Sequence, residues 1–110
     1  MRTLVTGGAG FVGSHLVDAL LTGGHEVRVL DNFATGDAAN LKPQRSGLEI
    51  VKADIRDQGK VTQAFQGIEV VFHQAALASV PWSIEDPMLF HDVNATGTLN
   101  VLIAARKAKT

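Results

Sequence analysis

The sequence has 110 residues, enough for one domain with a single core and too short for a second domain. Hydrophobic residues make up 45% of it and charged residues 19%, which excludes a disordered chain. The net charge is -1, there is no cysteine, and the first residues lack a long apolar run. We therefore expect a cytoplasmic protein that binds neither nucleic acid nor membrane and has no disulfide or thiolate metal site.

The first half of the chain alternates strand and helix signals. Short β-rich runs end in glycine or in Asp31-Asn32, and the apolar residues between them recur at helical spacing. These patterns predict a strand at 2–6, a helix at 11–21, a strand at 26–30, and a loop at 32–47 with one helical turn near 38–41.

The second half repeats the alternation. It predicts a strand at 48–51, a helix at about 60–66, a strand at 69–72, a loop through Pro81 and Trp82 to Pro87, and a long helix at about 88–107. Strands that alternate with helices favour a parallel sheet covered on both faces. We therefore predict the α/β class, a Rossmann-type doubly wound sheet of about four strands in the order 3-2-1-4, as one domain over residues 1–110.

A glycine pattern, G-x-x-G-x-x-G, lies between the first strand and the first helix. Gly7 allows a sharp turn, Gly10 lets the backbone approach a pyrophosphate, and Gly13 lets the helix pack closely. The free N–H groups at the start of this helix, around Phe11 and Val12, then hold negative charge. In this strand–loop–helix context the pattern predicts a dinucleotide site.

An acidic residue at the end of the second strand completes that prediction. Asp31 is placed to accept hydrogen bonds from a ribose, and its charge disfavours a 2′-phosphate, which favours NAD over NADP. Arg28 falls within the strand rather than in the loop after it. The alternative is a helix-entry turn followed by an unrelated, solvated acid.

Five motifs in order resemble a known family over the whole chain. They are Thr6–His15, Leu30–Gly36, Asp54–Arg56, His73–Ala76 and Asp92–Thr98. The sequence resembles the extended short-chain dehydrogenases/reductases, most closely the NAD-dependent epimerase/dehydratase family typified by UDP-glucose 4-epimerase. The resemblance implies NAD as the cofactor.

Further cofactor-binding residues follow from the resemblance alone. At the adenosine end it implies ribose and adenine contacts from Asp31, Asn32, Phe33, Thr35, Gly36, Asp54 and Ile55. Ala75 and Ala76 would lie beneath the nicotinamide half, and the Asn94 amide would tie the last helix to the strand ends. The alternatives are a capping or turn role for Asp54, simple packing for the alanines and a tertiary hydrogen bond for Asn94.

The family's catalytic tyrosine has no counterpart, because the sequence contains no tyrosine. We therefore expect no catalytic residue here and no turnover by this chain alone, which resembles the N-terminal portion of a nucleotide-sugar epimerase or dehydratase without its substrate-binding C-terminal part. A UDP-sugar would be a partner only of the full-length parent. The alternatives are a non-catalytic NAD(H)-binding module and a self-associating scaffold.

Other features concern metal binding and assembly. The four histidines lack the spacing of a metal site, so none is predicted. Trp82 is either a wall of the substrate side or a lid over the core. The apolar last helix resembles the helix that packs against its mate in the homodimers of the family, and the alternative is that it only covers the sheet. The apolar edge of the fourth strand also predicts self-association.

Overall fold

Four parallel strands form one sheet in this computed structural model, which describes residues 1–43 and 45–110. In chain order, the elements are β1 (Arg2–Thr6), α1 (Phe11–Thr22), β2 (Glu26–Asp31), a 3-10 turn (Ala38–Leu41), β3 (Leu48–Lys52), α2 (Gln58–Ala64), β4 (Val70–His73), α3 (Val80–Glu85), α4 (Pro87–His91), a π-helical turn (Asp92–Thr96) and α5 (Gly97–Ala108). The strand order is β3-β2-β1-β4, which confirms the predicted topology.

Alternating side chains of the central strands supply two cores, one on each face of the sheet. Leu4 and Leu30 face α2 and α5, whereas Val5 and Val29 face α1. All four side chains are fully or almost fully buried. Burial on both faces explains why Leu4-Val5 in β1 and Val29-Leu30 in β2 are consecutive apolar residues.

The prediction of a loop through Pro81 and Trp82 to Pro87 is wrong in part, because α3 occupies residues 80–85. The Ser79 hydroxyl caps this helix by accepting the N–H of Trp82. Pro81 lies in the first turn, where its missing N–H costs no helical hydrogen bond. A proline that resembles a loop signal therefore marks a helix start.

Several predicted boundaries move by one or two residues. Helix α2 covers 58–64 rather than 60–66, because the Asp57 carboxylate caps it by accepting the N–H of Lys60. Each of β2, β3 and β4 extends one residue beyond its predicted end, to Asp31, Lys52 and His73. Asp31 and His73 thus lie within strands, at the edge where the strands end.

The last predicted helix is helical throughout but not uniform. Asp86 caps its start, and residues 92–96 form a π-helical turn between α4 and α5. Such wide turns are rare and frequently occur at functional sites. Within residues 1–43 and 45–110, no helix combines the length and the apolar character required to cross a bilayer.

Candidate functional site

A cavity of about 300 Å³ lies beyond the carboxyl ends of the strands. In parallel α/β sheets, ligands bind at this edge. The end of β2 and the loops after all four strands border the cavity. They contribute Gly7, Gly10, Asp31, Asn32, Thr35, Gly36, Asp54, Ile55, Arg56, Ala75 and Ala76. Most of the site residues predicted from sequence therefore meet in one place.

The glycines of the first loop serve different steric purposes. Gly7 has a φ of +71°, and a Cβ there would lie 2.7 Å from the N of Ala75. A Cβ on Gly13 would lie 2.1 Å from the carbonyl oxygen of Gly7, so α1 can begin only with glycine at that position. A Cβ on Gly10 would meet only that same oxygen, at 3.4 Å. Packing within the chain therefore does not require glycine at position 10, which is also the N-cap of α1.

Two further glycines bring the neighbouring loops together. A Cβ on Gly8 would lie 2.7 Å from both methyl groups of Val29, and one on Gly36 would lie 2.8 Å from the Cβ of Ala9. Gly8 was missed by the sequence prediction, although the Gly7-Gly8 pair signals it. The glycine loop therefore packs closely against β2 at Gly8 and against the loop after β2 at Gly36.

Asp31 is buried, with 8% of its surface exposed, and its carboxylate holds two loops. Oδ2 accepts the N–H of Ala9 over 3.0 Å, and Oδ1 accepts the N–H of Phe33 over 2.8 Å. Each carboxylate oxygen retains a second lone pair for a further donor. Burial and these contacts contradict the alternative of an unrelated, solvated acid.

Asp54 forms a compact polar cluster with Arg56 and Asn32. Its carboxylate accepts hydrogen bonds from Nε, Nη2 and the backbone N–H of Arg56 over 2.8–3.0 Å. It accepts a fourth hydrogen bond from Nδ2 of Asn32 over 3.1 Å. The side-chain hydrogen bond from Arg56 is the main cause that lowers the pKa of Asp54 to about 2. These four donors fill the lone pairs of the carboxylate, so an adenine amino group would have to replace one of them. Sequence reasoning assigned no role to Arg56.

A hydrogen-bonded chain links the ends of β1 and β4. The buried Thr6 hydroxyl accepts the N–H groups of Gln74 and Ala75, each over 3.1 Å, so its own proton points to Nδ1 of His73, 2.6 Å away. The other ring nitrogen, Nε2, then donates to Oγ1 of Thr98 over 2.9 Å. This arrangement fits the neutral ring, and burial lowers the pKa of His73.

The segment after β4 is fixed from the last helix. The Leu77 N–H donates to Oδ1 of Asn94 over 2.8 Å, and Nδ2 of Asn94 donates to the Leu77 carbonyl over 2.9 Å. Asn94 lies in the π-helical turn and does not line the cavity, whereas Ala75 and Ala76 do. Its amide joins the last helical segment to Leu77, in the segment after β4.

Apolar side chains close one side of the cavity. Leu89 and Val93, which the sequence prediction missed, line it from the last helical segment, and Trp82 lines it from α3. Trp82 contacts Phe90 edge-on, with ring centroids 5.2 Å apart. The position of Trp82 favours a wall of the site over a lid on the core.

Other predicted residues lie outside the cavity. Phe11 and Val12 are 80% and 61% exposed at the start of α1, and the Phe11 ring packs edge-on against His15. Phe33 adopts a φ of +59° and packs on the core beneath α1.

Within residues 1–43 and 45–110, no three acidic or histidine side chains come close enough to hold a metal ion.

A strand, a glycine loop, a helix start and a buried acid on the neighbouring strand define a dinucleotide-binding α/β protein. The family model described as "NAD dependent epimerase/dehydratase family" matches residues 3–110. The chain belongs to this family, which confirms the resemblance noted in the sequence.

Individual epimerases and dehydratases are also similar to this chain. The UDP-glucose 4-epimerase of Mycolicibacterium smegmatis is 47% identical over 98% of this chain and 36% of that protein. The structure of Thermus thermophilus UDP-glucose 4-epimerase in complex with NAD is 50% identical, with a TM-score of 0.90 over 99% of this chain and 35% of the other. The structure of dTDP-glucose 4,6-dehydratase of Streptomyces venezuelae with NAD bound is 40% identical. Its TM-score is 0.92, over 100% of this chain and 37% of the other. The chain spans about a third of the length of these relatives.

Proposed function

We propose that this chain binds NAD in the cavity at the strand ends and forms the cofactor-binding part, as one domain over residues 1–110, of a nucleotide-sugar epimerase or dehydratase. The observation that carries the proposal is the meeting of the glycine loop and the buried Asp31 carboxylate at one cavity. The first offers N–H groups to a pyrophosphate and the second offers lone pairs to a ribose.

The pyrophosphate is proposed to lie beside Gly10. This position has room for a Cβ in the chain itself, and the N–H groups at the start of α1 follow directly. Phe11 and Val12 contribute backbone N–H groups, which is compatible with their exposed side chains. The N-terminal end of the helix dipole favours the negative charge there.

The adenosine end is proposed to lie between the loops after β2 and β3. Asp31 and Asn32 face the ribose, Thr35 and Gly36 line the same end, and Ile55 offers an apolar surface to the adenine ring. Phe33 contributes indirectly, because its N–H fixes Oδ1 of Asp31. The nicotinamide end is proposed to lie at Ala75 and Ala76, whose small side chains leave room for a flat ring.

The reaction is proposed from the relatives and concerns the whole enzyme. Bound NAD would supply hydride transfer with a nucleotide sugar such as a UDP-sugar. The chain's own residues hold and orient the cofactor, and none is proposed as catalytic. Asn94 belongs to this machinery, because it fixes the segment that carries the two alanines.

The exposed face of α5 and the net charge bear on the assembly and the location that we propose. Leu99 and Leu102 are 55% and 61% exposed on α5, which supports a homodimer through this helix. The net charge of -1 supports a cytoplasmic protein without nucleic-acid or membrane partners.

The proposal is tested by titrating NAD into the protein and into a Gly10→Ala variant by calorimetry. The added methyl fits the chain but occupies the space of the pyrophosphate, so we expect folded protein with at least about tenfold weaker binding. Gly59→Ala is the matched control, since its Cβ would only contact Asp57 at 3.6 Å. Equal NAD affinity in Gly10→Ala and the control would contradict the proposal.

A further inference from the structure

Asn100 is a buried amide near the start of α5, inside the continuous helical segment that begins with α4, and 9% of its surface is exposed. Asparagine is unfavourable inside a helix, because its side chain competes for backbone hydrogen bonds. Here Nδ2 donates instead to the carbonyl oxygens of Ile55, over 3.0 Å, and of Arg56, over 3.2 Å. Both acceptors belong to the turn that follows β3, more than forty residues earlier in the chain.

That turn forms one wall of the cavity through Asp54, Ile55 and Arg56. Its side chains are fixed by the Asp54–Arg56 pair and by Asn32. Its backbone is fixed separately, since Asn100 satisfies two successive carbonyls. The bond to the Ile55 carbonyl is buried and the bond to the Arg56 carbonyl is partly buried. A buried backbone carbonyl requires such a partner.

A second contact shows that α5 and the turn are closely fitted. Gly97 lies one helical turn before Val101 and three residues before Asn100, and a Cβ on it would lie 2.5 Å from Cδ1 of Ile55. The helix therefore approaches the Ile55 side chain as closely as a glycine allows. Steric contact and the amide hydrogen bonds together determine how far Ile55 projects toward the cavity.

We propose that Asn100 is a positioning residue that sets the affinity for the adenosine end of the dinucleotide by fixing the turn at residues 54–56. The inference rests on the proposed function. Asn94 holds Leu77, at the other end of the cavity, in a comparable way. One helical segment thus carries one amide for the loop after β3 and another for the loop after β4.

The test compares two nucleotides and two variants. NAD and ADP-ribose share the adenosine and pyrophosphate, but ADP-ribose lacks the nicotinamide. Asn100→Leu, which keeps the approximate size and removes both donors, should raise the Kd for the two nucleotides by the same factor, about tenfold. Asn94→Leu is the matched variant at the other end and should raise the Kd for NAD more than that for ADP-ribose.

A second variant and a second measurement guard against simple misfolding. Gly97→Ala leaves Asn100 intact and displaces only the Ile55 side chain, so it should also weaken NAD and ADP-ribose equally. Hydrogen exchange of the Arg56 and Asp57 amides, which are bonded within the turn, should accelerate in Asn100→Leu and not in Asn94→Leu.

The outcomes separate the inference from the proposed function. Wild-type affinity for ADP-ribose in Asn100→Leu, or in Gly97→Ala if Asn100→Leu does not fold, would overturn the inference alone. A wild-type protein that binds neither nucleotide would overturn the proposed function and this inference with it. Equal weakening of both nucleotides, with faster exchange at the turn, would support both.

Discussion

The Asp31 carboxylate accepts the backbone N–H of Ala9 over 3.0 Å and so joins the end of β2 to the middle of the glycine loop. The same carboxylate fixes Phe33 in the following loop. The residue proposed to bind a ribose therefore also holds the loop proposed to bind a pyrophosphate. Loss of this carboxylate should affect the protein before any nucleotide is added.

Replacing Asp31 by Asn should destabilise the protein by about 2 kcal/mol, because the amide places an NH₂ against a buried backbone N–H. Urea denaturation of the protein without nucleotide measures this. Asp86→Asn is the control: Asp86 caps α4, where asparagine caps equally well, so its stability should stay close to wild type. Equal stability of the two variants would show that the Ala9 contact contributes little.

Gly13→Ala should destabilise the protein by roughly 3 kcal/mol, since its methyl would overlap the backbone oxygen of Gly7. Gly10→Ala should cost less than about 1 kcal/mol, a loss limited to the weaker capping by alanine at the start of α1. Thermal or urea unfolding of both variants measures the difference. A larger loss for Gly10→Ala than for Gly13→Ala would contradict the steric account of the loop.

His73 should make stability depend on pH. Burial lowers its pKa in the folded protein below the ordinary value of 6.5, so the unfolded chain binds the proton more readily. The contribution of neutral His73 to the free energy of unfolding is complete above pH 6.5. It is lost as the pH falls through the lower pKa of the folded state. The free energy of unfolding should therefore decrease from pH 7.5 to pH 5.

The variant His73→Gln should flatten this decrease, whereas His91→Gln, at an exposed position, should keep it. Denaturant unfolding at several pH values gives the slopes. An unchanged slope in His73→Gln would show that other groups cause the pH dependence.

NAD should bind about tenfold more tightly than NADP, because the buried Asp31 carboxylate borders the position proposed for the ribose and would repel a 2′-phosphate. Arg28 should not offset this, since its guanidinium is bound to Glu49 and to the carbonyls of Ala64 and Gln66. Calorimetric titration with both nucleotides measures the ratio. Equal affinities would show that Asp31 does not face the 2′ position.

Local patterns in the sequence predicted the sheet, its strand order and most of the residues that border the cavity at the strand ends. Parallel strands with glycine or acid at their ends leave few alternative topologies, and the strand order 3-2-1-4 is confirmed. The helix at 80–85 was missed because Pro81 has the same local signature in a loop and in a first helical turn. The capping role of Ser79 distinguishes the two only once the backbone is known.

Long-range polar contacts could not be read from the sequence. Asn100 and Ile55 are far apart in the chain, and helical periodicity places Asn100 on a buried face without naming its partner. The donors from Arg56 to Asp54 were missed although the two residues are close in the chain, because their bidentate contact depends on the geometry of the turn. The π-helical turn at 92–96 also lacks a local signature.

Titration of NAD into the ¹⁵N-labelled protein, followed by amide chemical shifts, tests the central claim most directly. We predict shifts concentrated at residues 7–13, 31–36, 54–56 and 74–77, all saturating with one Kd. Shifts confined to the opposite edge of the sheet, around Arg2 and Glu26, or no shifts at millimolar NAD, would contradict the account.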